Sequence, residues 1–157
     1  MANPLVLTST QLSILSTADT KLNLAYTDGL SDGVTTVDGT ATLTNKTLTN
    51  PTITNYVETL YTANTGTAIT VSLTNGTVQF LTLTANATIT MPTAVAGKSF
   101  TMLLKQDATG GRTVTWTTVS WPSATAPTIT TTASKMDKFV FTSDGTNWYG
   151  SVAGQNY

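Results

Sequence analysis

Eight acidic side chains, seven basic ones, no histidine and no cysteine bound the chemistry open to this chain. Without histidine the commonest general base and transition-metal ligand is missing. Without cysteine there is no thiolate, no disulfide and no cysteine metal site. Glycan cleavage by paired carboxylates would draw on eight scattered acids, five of them beside glycine or in evident loops. Asp28, Asp32 and Asp38 each precede a glycine. They could gather round calcium, but they miss the EF-hand ligand spacing, and Asp-Gly is ordinary turn chemistry. Gly97-Lys98-Ser99 imitates the end of a phosphate-binding loop, yet Pro92 stands where the earlier glycine is required. A strand start is the better reading. Asn45-Lys-Thr, Asn75-Gly-Thr and Asn86-Ala-Thr match the glycosylation pattern by chance in so threonine-rich a chain. The expectation is a protein that is not an enzyme and holds no cofactor or metal.

Aromatic side chains are the stronger lead. Trp116, Trp121, Trp148 and Tyr149 lie in the last third of the chain, and aromatic faces stack on sugar rings as they do on other apolar surfaces. Packing competes with that reading, because Trp116 shares a strand face with Val114 and Trp148 follows a hairpin turn. Trp148 and Tyr149 are adjacent in a strand-like run, so their side chains point opposite ways. One is expected buried and the other available. Lys105, Gln106, Asp107, Arg112 and Asn147 add polar groups near loops, where binding residues concentrate. Together with Trp148 and Tyr149 they are the candidate receptor contacts.

The elements that position these residues are built almost without charge. Charged residues make up 10% of the chain and hydrophobic ones 39%, against about 25% charged in typical soluble domains. Threonine supplies about a quarter of the residues, and its β-branch suits a pleated, half-buried surface. This is an all-β composition. A net charge of -1 gives no field toward phosphates, so no nucleic-acid partner is expected. No apolar run approaches the roughly 18 residues of a membrane span, so no membrane insertion is expected. The first basic side chain is Lys21, too late for the basic region of a signal peptide. Synthesis in a cytoplasm is the expectation.

Along the chain, Leu7-Thr-Ser-Thr-Gln-Leu12 carries a helix-start signature, with Thr8 as cap and Gln11 reaching back; a short helix to Thr17 is predicted. Leu22, Leu24 and Tyr26 alternate as in a strand. Asp-Gly turns follow. From Val57 onward come seven to nine short strands. Ile69, Val71 and Leu73 lead to Asn75-Gly76, a hairpin signal, and Val78 to Leu83 is predicted to run back. That strand changes phase at Phe80-Leu81, which suggests a bulge or burial on both faces. Phe100, Met102 and Leu104 share a face, as do Val114 with Trp116 and Phe139 with Phe141. Asp107 to Gly111 and Ser143 to Thr146 are predicted as loops between paired strands. A β-sandwich-like domain over residues 57–157 is expected.

Before it, residues 42–55 repeat one pentad: Thr-Leu-Thr-Asn, Lys46, Thr-Leu-Thr-Asn, Pro51, Thr-Ile-Thr-Asn. A side chain recurring every five residues cannot stay on one face of a strand whose period is two. Either Asn45, Asn50 and Asn55 adopt left-handed turns that reset the phase, or Leu43, Leu48 and Ile53 spiral round an axis shared with other chains. One chain of such units buries too little to offset roughly 1–2 kcal/mol of backbone ordering per residue. Copies winding together are therefore favoured, with Leu43, Leu48 and Ile53 as the interface between them.

The run Thr-Asn-Lys-Thr-Leu-Thr-Asn-Pro-Thr-Ile within Ala41 to Thr54 resembles a segment common in tail fibres of tailed bacteriophages. Ala96 to Trp116, Ser120 to Pro127, Ser143 to Gly150 and the ending Gly154-Gln-Asn-Tyr157 resemble the small β-rich terminal domain of phage tail and virion proteins. The resemblance implies a trimer whose N-terminal segment, residues 1–40, docks on other virion proteins. Residues 41–56 then form an intertwined shaft, and residues 57–157 face a host surface glycan or protein. A short tail fibre for host attachment, made in the host cytoplasm, is the expectation. A trimeric head decoration or cement protein is the alternative.

Overall fold

The computed structural model describes residues 47–157. The chain divides into two compact units, Met1–Thr52 and Ile53–Tyr157. The helix expected from Thr8, the strand from Leu22 to Tyr26, the Asp-Gly turns and the first pentad with Leu43 and Asn45 lie outside the described residues.

In the two described pentads, Asn50 (φ 49°) and Asn55 (φ 57°) are left-handed, the conformation asparagine tolerates best after glycine. The turn that resets the phase, the less favoured of the two sequence readings, is therefore present at both. It leaves Leu48 57% and Ile53 59% exposed, so it does not give either side chain a core within its own chain.

Nine strands follow: β1 Leu60–Asn64, β2 Ala68–Thr70, β3 Val78–Leu83, β4 Ala87–Thr90, β5 Ser99–Gln106, β6 Val114–Thr117, β7 Val119–Ser120, β8 Met136–Ser143 and β9 Trp148–Gly154. A single 3-10 turn spans Pro122–Ala124, and no α-helix occurs among the described residues. The strands form a large sheet, in the order β1-β3-β5-β8-β9-β7, and a small one, β2-β4-β6.

The first six strands alternate between the sheets, odd ones in the large and even ones in the small. Each pair of neighbours in this part is parallel. Parallel strands need a crossover, and here the crossover is a strand of the opposite sheet, so the chain winds as a flattened coil. The ladder continues round the corners: Thr65 N–H donates to the Thr82 carbonyl, Thr88 to Thr67 and Asp107 to Leu83. Equivalent positions stack from coil to coil, Ile69 beside Ile89 beside Trp116. The antiparallel hairpin β8–β9 then closes the large sheet against β5, with a register shift at Lys138/Phe139.

The winding corrects the sequence reading at three places. Asn75-Gly76 does not make a hairpin, because β2 and β3 lie in different sheets. Its turn is closed by Asn75 N–H on the Ser72 carbonyl, and the Gln79 amide holds the same arm through the carbonyls of Ser72 and Gly76. Gly76 (φ +148°) is required for close approach, since a Cβ there would lie 2.3 Å from the Thr59 carbonyl oxygen. Second, the segment from Asp107 to Gly111 joins β5 to β6 across the two sheets rather than linking paired strands. Third, β3 keeps unbroken register with both neighbours. Gln79, Leu81 and Leu83 point inward while Val78 and Phe80 are half-buried on the outer face; the phase seemed to slip because the inward residue at 79 is an amide.

One core lies between the sheets. Leu81, Leu83, Phe100, Met102, Leu104, Phe139 and Phe141 from the large sheet meet Ala87 and Ile89 of the small sheet. The shared faces read from the sequence at Phe100, Met102 and Leu104 and at Phe139 and Phe141 are its centre. Burying each such side chain stabilises by roughly 1.5–3 kcal/mol.

Candidate functional site

β1, β3 and β5 run the same way, and the chain comes into β1 through residues 53–59. Their first residues mark the near end of the domain; Asn64, Leu83 and Gln106 mark the far end. β8 is antiparallel to β5, pairing Thr142 with Ser99 and Met136 with Lys105. The loop after β8 is thus at the near end and the loop after β5 at the far end. β5 has eight residues, so at roughly 3.3 Å per residue about 26 Å separates the two candidate loops. They cannot form one small site.

At the near end, Asp144 organises its loop. Its Oδ1 accepts from Thr146 N–H and Asn147 N–H, both at 2.7 Å, and its Oδ2 from the Tyr149 hydroxyl at 2.9 Å. The backbone N–H of Asn147, then that of Thr146, then the phenol hold the carboxyl down at about 2. The same carboxylate raises the Tyr149 phenol above its ordinary value. Tyr149 is 48% exposed and Trp148 only 1%, so the expected division of that pair is present. Trp148 is the packed member of the pair: its indole N–H donates to the Pro92 carbonyl at 2.8 Å and its ring meets Phe100 edge-on at 5.2 Å.

Trp116 and Trp121 are half-buried, 5.2 Å apart and edge-to-face. Both also meet Phe139 and Phe141. Gly150 leaves room for them, since a Cβ there would stand 2.6 Å from the Trp121 ring. Core packing accounts for both rings.

At the far end, Asp107 Oδ2 accepts from Arg112 Nε at 3.1 Å and Nη2 at 2.9 Å. Its Oδ1 accepts from Thr109 N–H at 3.0 Å and Gly110 N–H at 2.8 Å. The guanidinium first, then the Gly110 N–H, lower the carboxyl below its usual value. Gly110 (φ +71°) has no room for a side chain, a Cβ lying 2.7 Å from the Thr131 carbonyl oxygen. Gln106 is 1% exposed. Its Nε2 donates to the carbonyls of Arg112 at 2.9 Å and Thr130 at 2.8 Å, while Oε1 accepts from Arg112 N–H at 3.0 Å. Gln106, expected near the surface, is therefore a buried pin beneath the loop. A buried polar side chain in a strand has no sequence signature that separates it from a surface one; only its alternation with Leu104 hinted at it.

The remaining candidates disperse. Lys105 is half-buried on the outer face of the large sheet, Asn147 is exposed in the near-end loop, and Asp107 and Arg112 share the far-end loop. Gly97-Lys98-Ser99 leads into β5, as expected of a strand start.

Residues 69–148, just over half of the 157, match the family described as "Putative phage tail fibre C-terminal domain". The chain belongs to this family. Comparison with curated proteins and with solved structures finds no match. The match to the tail fibre domain begins in β2 and ends at the first residue of β9. It takes in the far-end loop and the near-end loop alike.

Proposed function

We propose that this protein is a short, trimeric, non-enzymatic tail fibre that attaches a bacteriophage to its host, with residues 1–40 docking on other virion proteins. Membership in the tail fibre family supports the tail over the head-decoration alternative. The observation that carries the trimer is the run of apolar side chains just before the domain: Ile53, Tyr56, Val57 and Leu60 are 59%, 66%, 91% and 56% exposed. Scattered exposed apolar residues are normal, but such a cluster marks an interaction surface. Neighbouring copies are the partner that the pentads already call for.

The host-facing surface in this reading is the far end, opposite the side from which the chain arrives. Its corners are residues 65–67, 84–86 and 107–113. Asp107, Arg112 and Lys135 bring charge to it, and Tyr149, at the near end, is reassigned from host contact. The ligand is a host-surface glycan or protein met by a rigid, mainly hydroxyl-bearing surface.

Light scattering on the purified full chain tests the assembly: a trimer mass is expected at micromolar concentration, and a monomer mass removes the proposal. Competition tests the attachment. Purified protein should slow phage adsorption to host cells, and Arg112→Ala should compete less well than Tyr149→Ala; the reverse ranking places the host contact at the near end.

A further inference from the structure

The outer faces of the two sheets differ in chemistry, and that difference assigns one of them a partner. On the small sheet, outward positions pair Ala68 with Thr88 and Thr115, and Thr70 with Thr90 and Thr117. That is a hydroxyl face suited to water. On the large sheet, one outward row pairs Leu60, Val78, Thr101 and Val140, and the next pairs Thr62, Phe80, Leu103 and Lys138. Leu60, Val78, Phe80, Leu103 and Val140 form one contiguous apolar patch on adjacent strands. Apart from the exposed Leu60, they are only half-covered by their neighbours. Lys138 stands at its rim. An apolar centre with a polar rim is the anatomy of a protein interface.

The occupant follows from where the patch leads. Tyr56 and Glu58, which belong to the exposed stretch before β1, line a shallow pocket with Thr101 and Val140 of this same face. Glu58 is tied there by the Thr77 hydroxyl at 2.6 Å. The patch is thus continuous with Tyr56, Val57 and Leu60, the residues that carry the trimer reading. We propose that the outer face of the large sheet packs against a neighbouring copy of this chain, extending the shaft contact through the C-terminal domain, while the threonine face of the small sheet stays outside. The inference rests on the trimer reading and adds to it a specific face.

The chain has no cysteine, so single cysteines report each face cleanly. In the full-length protein, Thr101→Cys on the large sheet and Thr115→Cys on the small one are labelled with a maleimide across a dilution series, with light scattering in parallel. The expected result is a Thr101→Cys rate about tenfold slower in the trimer than in the dissociated chain, with Thr115→Cys unchanged by dilution. A trimer in which the Thr101→Cys rate does not respond to dilution overturns the face and leaves the trimer standing; a monomer at every concentration overturns both. If that thiol reacts freely in the purified trimer but is protected in virions, another virion protein covers the face and the proposal fails. Leu103→Lys supplies an independent arm. It should raise the concentration at which the trimer dissociates while a cooperative circular dichroism melt reports a folded core, and an unshifted dissociation curve again rejects the face.

Discussion

The stretch before the domain and the coil that follows share an alphabet of threonine, asparagine and a few aliphatics, yet they dispose of their apolar side chains oppositely. In the coil, Ile69, Leu81, Ile89 and Leu104 recur with period two along strands that always show the same face to the same core. Before it, Leu48 and Ile53 recur with period five, the left-handed Asn50 and Asn55 interrupt the two described units, and both aliphatics stay in solvent. Composition therefore does not decide whether such a chain has its own core. The period of the apolar residues against the period of the backbone does.

The sharpest way to break this comparison is to remove the apolar residues that lack an internal core. Replacing Leu43, Leu48 and Ile53 together by serine should abolish the trimer in light scattering. The circular dichroism signal and cooperative melt of the coil should be kept. A lost melt would mean that the two regions depend on one core after all.

Within the domain, truncation should have the opposite signature. Trp148→Ala removes a fully buried ring and should cost about 3–5 kcal/mol in denaturant unfolding. Tyr149→Ala, one residue on, removes an exposed ring and a single hydroxyl hydrogen bond and should cost about 1 kcal/mol or less. Gly110→Ala falls between them: a left-handed alanine pressed on the Thr131 carbonyl should cost about 1–3 kcal/mol. An unchanged melt for that variant would show that the far-end loop is softer than its hydrogen bonds indicate.

The smallest effect is electrostatic and confined to the near-end loop. Asp144 is held at about 2, below its ordinary 3.8. Its contribution is thus complete above 3.8 and is lost as the pH falls through about 2. Tyr149 moves the other way. Its hydroxyl donates to the carboxylate, so its share is complete below the ordinary 10.0 and is lost as the pH rises through its raised folded value. Ultraviolet titration should find Tyr149 ionising later than a free tyrosine, and Asp144→Asn should bring it back toward the ordinary value.

Much of the domain was legible in the sequence, because strand faces are a local property. The alternation of Phe100, Met102 and Leu104 named core residues directly. The division between Trp148 and Tyr149 followed from the same rule. Strand partnership is not local, and there the structure departs from the sequence pattern. Asn75-Gly76 carries a strong hairpin signal, but the aliphatics of β2 and β3 face one core from opposite sheets, and burial outweighs turn preference. The winding did leave a trace in three similar runs, Thr67-Ala-Ile-Thr, Asn86-Ala-Thr-Ile-Thr and Thr113-Val-Thr-Trp-Thr. Those runs are the crossings onto the small sheet. The burial of Gln106 is hidden from the sequence for a different reason: the carbonyls of Arg112 and Thr130 that hold it come from segments whose approach only the fold reveals.

The far-end corners bear on how such a protein changes over generations. The same bend, from the large sheet to the small one, is made by residues 65–67, by 84–86 and by the much longer 107–113. Since one ladder accepts all three, corner length can change without altering the strands beneath. Insertions and deletions at these corners give a lineage new surface shapes without a new fold. A duplicated coil adds one more corner beside the old ones and widens each sheet by about 4.8 Å. Under the proposed host-attachment role, host range would then change at the edges of the scaffold and leave its interior almost untouched.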